Sequence, residues 1–219
     1  MKYKAVLLDV DGVLIDSEKI FNLCWRKGAE QVGYVMTYEQ ALELRSLDSQ
    51  LAKELFMSWY GDVNAYSAIR NVRKMLMAQL IAEKPLTAKE GVKEFLKEIK
   101  SLPVMTAIVT SSPENRIREY LDSVGIDFNL FDAIITTEQV KRGKPFPDVY
   151  EHACKAIGYT PNECIAIEDS PNGVKSAHDA GCYTIMIPDM TNVTDELKDY
   201  IDEVSVSLKS IVELLRKLG

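Results

Sequence analysis

Apolar residues fill consecutive positions in five short runs along the chain. The runs are rich in β-branched residues and cover residues 5–10, 106–110, 133–137, 164–168 and 183–188. Continuous apolar runs of this length are typical of strands that are buried on both faces of a sheet. Through most of the chain they alternate with segments of helical spacing, for example Val92, Phe95, Leu96 and Ile99. This alternation predicts βαβ units and a parallel sheet in an α/β fold.

The segment between the first and second runs has helical spacing throughout. Phe21, Trp25 and Ala29 recur on one face, Thr37 and Gln40 have capping-box spacing, and further apolar faces follow. An insertion of about 70 residues is too long for a loop and must pack on its own. We therefore expect an all-α cap domain at residues 17–85 within an α/β core domain at residues 1–16 and 86–219. The two linkers would lie side by side and form a hinge.

Composition and charge restrict the partners. The chain of 219 residues is 47% hydrophobic and 27% charged, as in an ordinary globular protein. Its 26 basic and 33 acidic residues give a net charge of −7, which disfavours nucleic acid and anionic membranes as partners. An anionic substrate must therefore be bound by local cations or by a metal ion.

Cysteine usage and the first residues indicate the compartment. The four cysteines have no CxxC spacing, so buried free thiols in a reducing compartment are favoured over a metal site or a disulfide. The first apolar run is too short for a signal peptide or a membrane span. We expect a cytoplasmic monomer.

Two acidic pairs stand where predicted strands end. Asp9 and Asp11 are two residues apart, so they point to the same side of an extended chain, and Glu168 and Asp169 end the fourth run. Either pair alone also fits a turn or a helix cap. In a doubly wound sheet, however, ligands bind at the carboxyl ends of the strands. Carboxylates converging there need a cation, and hard oxygen ligands favour Mg²⁺.

Two further segments offer groups that bind anions. Thr110 and Ser111 end the second run just before a predicted helix, where hydroxyl and N–H groups favour an anion. Lys144 lies between a glycine and a proline, and lysines in such loops are commonly solvated. The nearby prolines, Pro145 and Pro147, would stiffen the segment and hold the cation in one place.

Together these four segments closely resemble the motifs of the haloacid dehalogenase superfamily, and the resemblance covers essentially the whole chain. It implies a Rossmann-like parallel sheet of order 3-2-1-4-5, in which the first and fourth strands are neighbours. The helical insertion is similar to the cap of the branch that holds phosphoglycolate phosphatases, sugar-phosphate phosphatases and β-phosphoglucomutases.

The resemblance also implies a mechanism. Asp9 would attack phosphorus and form an aspartyl phosphate, and Asp11 would act as general acid and base. Mg²⁺ would be bound by Asp9, the backbone carbonyl of Asp11, Asp169 and Glu168. Dehalogenases lack the second acid, and phosphonate-cleaving relatives usually replace it, so Asp11 indicates phosphate esters.

By the same resemblance, groups from the second and third motifs would bind the phosphoryl oxygens. These are Thr110, the Ser111 amide and Lys144, since charge stabilisation dominates phosphoryl transfer. We expect a phosphatase acting on a small phosphate monoester such as a sugar phosphate.

Three alternatives stay open. The first is a sugar-phosphate mutase, but the cap histidine of β-phosphoglucomutases would fall at Phe21, and their glycine and arginine at Ser46 and Ser49. The second is a catalytically silent binding protein of the same fold. The third is a protein-docking lobe around Trp25 and Trp59, although apolar helical faces normally form their own core.

Substrate choice would rest with the cap. Its candidate substrate contacts are Arg45, Ser49, Arg70 and Arg73. The two histidines, His152 and His178, lie outside the cap on predicted core helices, where surface or packing roles are expected.

Overall fold

The computed structural model describes residues 2–218 and contains a six-stranded, fully parallel sheet. The strands are β1 Ala5–Leu8, β2 Met105–Thr110, β3 Ala133–Thr136, β4 Cys164–Glu168, β5 Tyr183–Met186 and β6 Glu203–Val204. Their order is β3-β2-β1-β4-β5-β6. The predicted fold class and the order of its five strands are confirmed, and β6 adds a short sixth strand at one edge.

The helices of the described residues fall into two groups. Four lie between β1 and β2: α1 Glu18–Gln31, α2 Tyr38–Glu43, α3 Ser49–Tyr60 and α4 Ala65–Glu83. The others follow in the α/β part: α5 Val92–Ile99, α6 Glu114–Ser123, α7 Asp148–Ala156, α8 Pro171–Ala180, α9 Asp195–Lys198 and α10 Leu208–Leu218. The long insertion expected after the first strand is thus helical.

Both faces of the sheet are covered. Ala5 and Leu7 of β1 pack into a cluster with α7 and α8, whereas Val6 and Leu8 pack into a cluster with α5, α6 and α10. Successive strand residues point to opposite faces, so a strand covered on both sides must be apolar at every position. This explains why the strands read as continuous apolar runs in the sequence.

The helical insertion has a hydrophobic cluster of its own. Phe56 is fully buried there, with the Trp25 ring centroid 5.6 Å from its own. Gly28 lets α1 and α4 approach closely, because a Cβ at this position would lie 3.1 Å from the carbonyl oxygen of Ile69. The apolar faces around Trp25 therefore serve internal packing, and the proposed boundaries of this domain stay a prediction.

The segments that enter and leave the insertion run side by side. The N–H of Asp16 donates to the carbonyl of Thr87 at 3.0 Å, and the N–H of Lys89 donates to the carbonyl of Leu14 at 2.9 Å. Ile15 and Ala88 form an isolated antiparallel bridge between them. The chain therefore enters and leaves the insertion through two segments that are paired with each other.

Strand β1 ends at Leu8, two residues earlier than the sequence suggests. The reason is a tight turn in which the Val10 carbonyl accepts hydrogen bonds from the N–H groups of Leu14 at 2.9 Å and Ile15 at 3.0 Å. Gly12 takes the positive φ of 86° that this turn requires. The turn directs Asp9 and Asp11 away from the sheet at its carboxyl edge.

The structure bears on the expectations for the cysteines and for a membrane span. All four cysteines are free and buried, which confirms the prediction of buried thiols. Across residues 2–218, no helix combines the length and the apolar character that crossing a bilayer requires.

Candidate active site

The candidate active site lies at the carboxyl ends of the three central strands. Asp9 directly follows β1, and its N–H donates to the carbonyl of Ile167 in β4 at 3.1 Å. Thr110 is the last residue of β2 and Glu168 is the last residue of β4. Because these strands are parallel neighbours, their ends meet at the edge where doubly wound sheets bind ligands.

Three buried carboxylates converge at this edge. Asp9, Glu168 and Asp169 each place one oxygen within 4.8 Å of the others, and each residue is at most 1% exposed. Burying like charges together is strongly unfavourable unless cations compensate them. The site must therefore contain or bind positive charge.

Lys144 supplies one of these cations and is itself fully buried. Its Nζ donates to Asp9 Oδ1 at 2.7 Å, to Glu168 Oε1 at 2.5 Å and to the carbonyl of Val109 at 3.0 Å. The Tyr150 hydroxyl also donates to Glu168 Oε1, at 2.5 Å. Lys144 thus joins the nucleophile candidate to the second acidic pair.

Arg45, from the connection between α2 and α3, supplies a second cation. Its guanidinium donates to Asp169 Oδ2, to Glu18 Oε2 at 3.1 Å and to Thr191 Oγ1 at 2.9 Å. We expected Arg45 to contact substrate, but the structure pairs it with two buried acids. Its substrate role therefore stays a prediction, and its observed contact ties the insertion to the acidic cluster.

The pKa values reflect the burial of this cluster. Burial raises the pKa of Asp9 well above its usual range, and Lys144 opposes the shift. Burial likewise raises the pKa of Asp169, with Arg45 opposing. Burial alone would lower the pKa of Lys144, but Asp9 and Glu168 hold it above its usual value. A divalent cation beside Asp9 and Asp169 would favour their ionised forms.

The free oxygens of the three carboxylates fit a metal ion. One oxygen of each is bound by Lys144 or Arg45, while Asp9 Oδ2, Glu168 Oε2 and Asp169 Oδ1 are buried without a hydrogen-bond partner. Two glycines leave room beside them: a Cβ at Gly12 would overlap the carboxylate of Asp169, and one at Gly173 would overlap that of Glu168. An all-oxygen donor set of this kind suits Mg²⁺.

Asp11 stands outside this cluster, and two serines orient its carboxylate. Ser17 donates to Asp11 Oδ1 at 2.6 Å, and Ser112 donates to Asp11 Oδ2 at 2.9 Å. Neither serine was predicted as a site residue. Ser17 precedes the first helix and Ser112 precedes Pro113, so both look like helix-start residues in the sequence. The metal role expected for Asp11 concerns its backbone carbonyl and stays a prediction.

The predicted anion-binding residues lie beside the two aspartates. Thr110 is buried, and its Oγ1 accepts a hydrogen bond from the N–H of Ser112 at 3.1 Å. The Ser111 hydroxyl donates to the carbonyl of Ser46 in the insertion at 3.1 Å. Both residues line the same cavity as Asp9 and Asp11.

This cavity has a volume of about 370 Å³ and lies between the sheet edge and the helical insertion. The insertion contributes aromatic side chains, including Trp25 and Tyr66, together with Ser49 at the start of α3. The volume suits a small metabolite. All four of the predicted cap contacts, Arg45, Ser49, Arg70 and Arg73, line it.

The sequence model described as "Haloacid dehalogenase-like hydrolase" matches residues 6–187. That match includes the ends of β1, β2 and β4, which form the site. The chain belongs to the haloacid dehalogenase-like hydrolase family. The predicted family resemblance is thus confirmed, as is the expectation of an enzyme of this family.

Several relatives of this hydrolase are similar along most of their length. The chain is 29% identical over 213 residues to validoxylamine A 7'-phosphate phosphatase of Streptomyces hygroscopicus subsp. limoneus, covering 97% of this chain and 96% of the relative. It is 28% identical over 182 residues to a phosphorylated carbohydrates phosphatase of Thermotoga maritima, covering 81% and 82%. A solved structure of a putative β-phosphoglucomutase from Bacteroides vulgatus is 26% identical, with a TM-score of 0.78, covering 99% of this chain and 88% of that one.

The histidines of this hydrolase lie away from the site. His152 is part of α7, and His178 of α8 is exposed with its ring 5.3 Å from that of Tyr200. Neither lines the cavity. The expected surface and packing roles agree with these positions.

Proposed function

We propose that this hydrolase is a Mg²⁺-dependent phosphatase that cleaves a small phosphate monoester, such as a sugar phosphate, through an aspartyl phosphate on Asp9. The observation that carries the proposal is the state of the Asp9 carboxylate. Lys144 fixes Oδ1 at 2.7 Å, while Oδ2 has no partner and the residue lines the cavity. A carboxylate that is held in one orientation beside a cavity suits nucleophilic attack.

In the first half-reaction, a carboxylate oxygen of Asp9 attacks phosphorus as the ester P–O bond breaks. Asp11 donates a proton to the leaving alkoxide, so the alcohol departs neutral. The hydrogen bonds from Ser17 and Ser112 keep the Asp11 carboxyl aimed at that oxygen. General acid help of this kind contributes about 10²- to 10⁴-fold to the rate.

In the second half-reaction, Asp11 accepts a proton from water as that water attacks the aspartyl phosphate. The bond between Asp9 and phosphorus breaks, inorganic phosphate leaves, and both carboxylates return to their initial states. Asp11 therefore serves first as acid and then as base, because it regains from water the proton that it gave to the leaving alcohol.

Charge on the transferred group would be shared among fixed donors. Thr110, Ser111 and Lys144 are the candidates. Thr110 and Ser111 line the cavity beside Asp9, and Lys144 contacts the Asp9 carboxylate directly. Asp9, Glu168 and Asp169 would hold Mg²⁺, which supplies charge neutralisation at the phosphoryl oxygens when it is bound.

We also propose that residues 17–85 act as a cap domain over this site. The cavity is bordered on one side by Trp25, Tyr66 and other residues of the insertion. The paired linkers at Asp16 and Thr87 form a hinge about which the insertion would rotate once contacts such as that of Arg45 with Asp169 open. Closure would exclude bulk water from the site.

Catalysis itself is tested with p-nitrophenyl phosphate, purified protein and Mg²⁺. We expect phosphate release that stops in excess chelator and returns with Mg²⁺. Acid-quenched protein should carry one phosphate on Asp9. A protein that binds phosphate esters but releases no phosphate would support the alternative of a silent binding protein.

The phosphatase is favoured over a mutase by the composition of the insertion. A mutase must keep water from the aspartyl phosphate and return the phosphoryl group to a bound sugar, yet the chain has no histidine between residues 17 and 85. Phe21 lines the cavity where the mutase histidine is expected. With β-glucose 1-phosphate and a trace of the 1,6-bisphosphate, we expect free phosphate; efficient formation of glucose 6-phosphate would establish the mutase instead.

A further inference from the structure

Three arginines line the cavity without an acidic partner. Arg70 and Arg73 belong to α4 and Arg116 belongs to α6, so they reach the cavity from the insertion and from the core. Among residues 2–218, no ion pair involves any of the three. Arginines within proteins normally pair with carboxylates, so this cluster has unused positive charge.

Arg73 is the most constrained of the three. It is only 8% exposed, and its Nε is buried without a hydrogen-bond partner. Its guanidinium carbon lies 4.4 Å from the ring centroid of Trp25 and 5.8 Å from that of Phe21. Gly28 of α1 lies against the backbone of Arg73, where a Cβ would come within 3.2 Å of its nitrogen. The arginine is thus held in place by packing rather than by a counterion.

The positive charges of the three arginines repel each other. Burial, together with the charges of the neighbouring Arg116 and Arg70, lowers the pKa of Arg73 to about 10. Arg73 nevertheless stays protonated at neutral pH. Three like charges at one wall of a cavity are unfavourable in the free protein, and an anion bound there would relieve the repulsion.

Among the described residues, no acid that borders the cavity forms an ion pair with this wall. Asp48 Oδ1 accepts from the N–H of Gln50 at 2.8 Å, and Asp48 Oδ2 accepts from the N–H of Gly143 at 2.8 Å. Glu18 is paired with Arg45. Glu138 is exposed at the cavity rim. The positive wall is therefore available to a ligand.

We infer that Arg70, Arg73 and Arg116 form a subsite for a second anionic group of the substrate, either a carboxylate or a second phosphate. This inference rests on the proposed function, because the first phosphate is assigned to Asp9 and Asp11. The enzyme would then prefer phosphate esters that carry two anionic groups. The preference would act on substrate binding, since none of the three arginines has a role in the proposed phosphoryl transfer.

The test uses two matched substrate series in the presence of Mg²⁺. Glucose 6-phosphate, 6-phosphogluconate and glucose 1,6-bisphosphate form the longer series, and glycerol 3-phosphate and 3-phosphoglycerate form the shorter one. We expect kcat/KM to be about 10- to 100-fold higher for a doubly anionic member than for its neutral-tailed counterpart, because a hydrogen bond to a charged group is worth about 1.5–3 kcal/mol. Comparison of the carboxylate with the bisphosphate identifies the preferred anion.

Variants then assign the preference to the cluster. Arg73→Met and Arg116→Met should each lose at least about ten-fold of it. Arg118→Met is the matched control on α6, because Arg118 is paired with Glu114 and packs on Phe128 outside the cavity. It should keep the full preference.

A binding measurement separates this inference from the proposed function. Calorimetric titration of the same compounds into Asp9→Asn protein measures affinity even where no turnover occurs. Tighter binding of the doubly anionic compounds, lost in Asp9→Asn/Arg73→Met, supports the subsite whether or not the protein proves to be a phosphatase. Equal affinity for neutral-tailed and doubly anionic compounds in both series would overturn it, as would a preference that survives Arg73→Met.

Discussion

Replacing Lys144 with methionine tests the electrostatic design of the site. The substitution keeps an unbranched side chain of similar length but removes the ammonium group and its three hydrogen bonds, to Asp9, Glu168 and the Val109 carbonyl. Asp9 and Glu168 would then share a fully buried site without this counterion. In the free protein, no other described residue forms an ion pair with either carboxylate.

The expected cost is large for a single substitution. Removing one partner of a buried ion pair typically destabilises a protein by about 3–5 kcal/mol. For a protein of this size, each kcal/mol lowers Tm by about 2–4 °C, so a decrease of about 6–20 °C is expected in chelator. Mg²⁺ should recover part of it, because a second cation would bind the same oxygens.

The pH dependence gives the sharper result. Burial raises the pKa of Asp9, and Lys144 opposes that shift, so the variant should have a still higher Asp9 pKa. An acid whose folded-state pKa is raised stabilises the fold by binding a proton at low pH, and this contribution is lost as pH rises through the folded pKa. The difference in unfolding free energy between wild type and variant should therefore be smaller at pH 5 than at pH 8.

Urea unfolding of both proteins in chelator, at pH 5 and pH 8, measures these differences. Lys100→Met is the control, because the pair of Lys100 with Asp132 spans 3.3 Å and is about one-third exposed, and such pairs contribute about 1 kcal/mol or less. A loss below about 1 kcal/mol in Lys144→Met, or an equal loss at both pH values, would falsify the assignment of Lys144 as the essential counterion.

Three further predictions concern the metal and the two aspartates. Excess chelator should stop turnover and lower Tm, and Mg²⁺ should restore both. Ca²⁺ should fail to restore turnover, because its larger and looser coordination shell misplaces the nucleophile. Gly173→Ala should weaken Mg²⁺ binding, measured by titration calorimetry, since the new Cβ overlaps Glu168; the exposed Asp179→Ala on the same helix should not. Asp11→Asn should lower kcat by about 10²- to 10⁴-fold and keep the fold, whereas only Asp9→Asn should also abolish the phosphoenzyme seen by mass spectrometry.

The sequence predicted the sheet because burial on both faces leaves a continuous apolar signal. It also predicted that Asp9, Asp11 and Asp169 would meet, since the family resemblance implies that the first and fourth strands are neighbours. Asp9 and Asp169 do lie in one carboxylate cluster, whereas the Asp11 carboxylate stands outside it. The two-residue strand at Glu203 was missed because a segment so short and partly polar has no periodicity to detect. Its place in the sheet depends on pairing with β5 alone.

Side-chain partners were harder to predict than strand positions. Ser17 and Ser112 orient Asp11 from opposite sides, but their separation of 95 residues in the chain gives no local signal. Arg45 was expected at the substrate, yet its guanidinium pairs with Asp169, which depends on how the insertion packs against the core. Tyr150 was not considered because a buried tyrosine in a helix usually serves packing. Its hydroxyl contacts Glu168 at 2.5 Å, and its ring centroid lies 5.3 Å from Lys144 Nζ.

The central position of β1 has a consequence for synthesis on the ribosome. Ala5 pairs with Met105 on one side and with Cys164 on the other, so the strand that precedes Asp9 emerges long before either neighbour exists. At about 5–20 residues per second, the first partner follows after about 5–20 seconds. During that interval an apolar strand has both edges unpaired, and such a segment is prone to aggregate. We expect nascent chains of this protein to need a holding chaperone near the exit tunnel until β2 has been made.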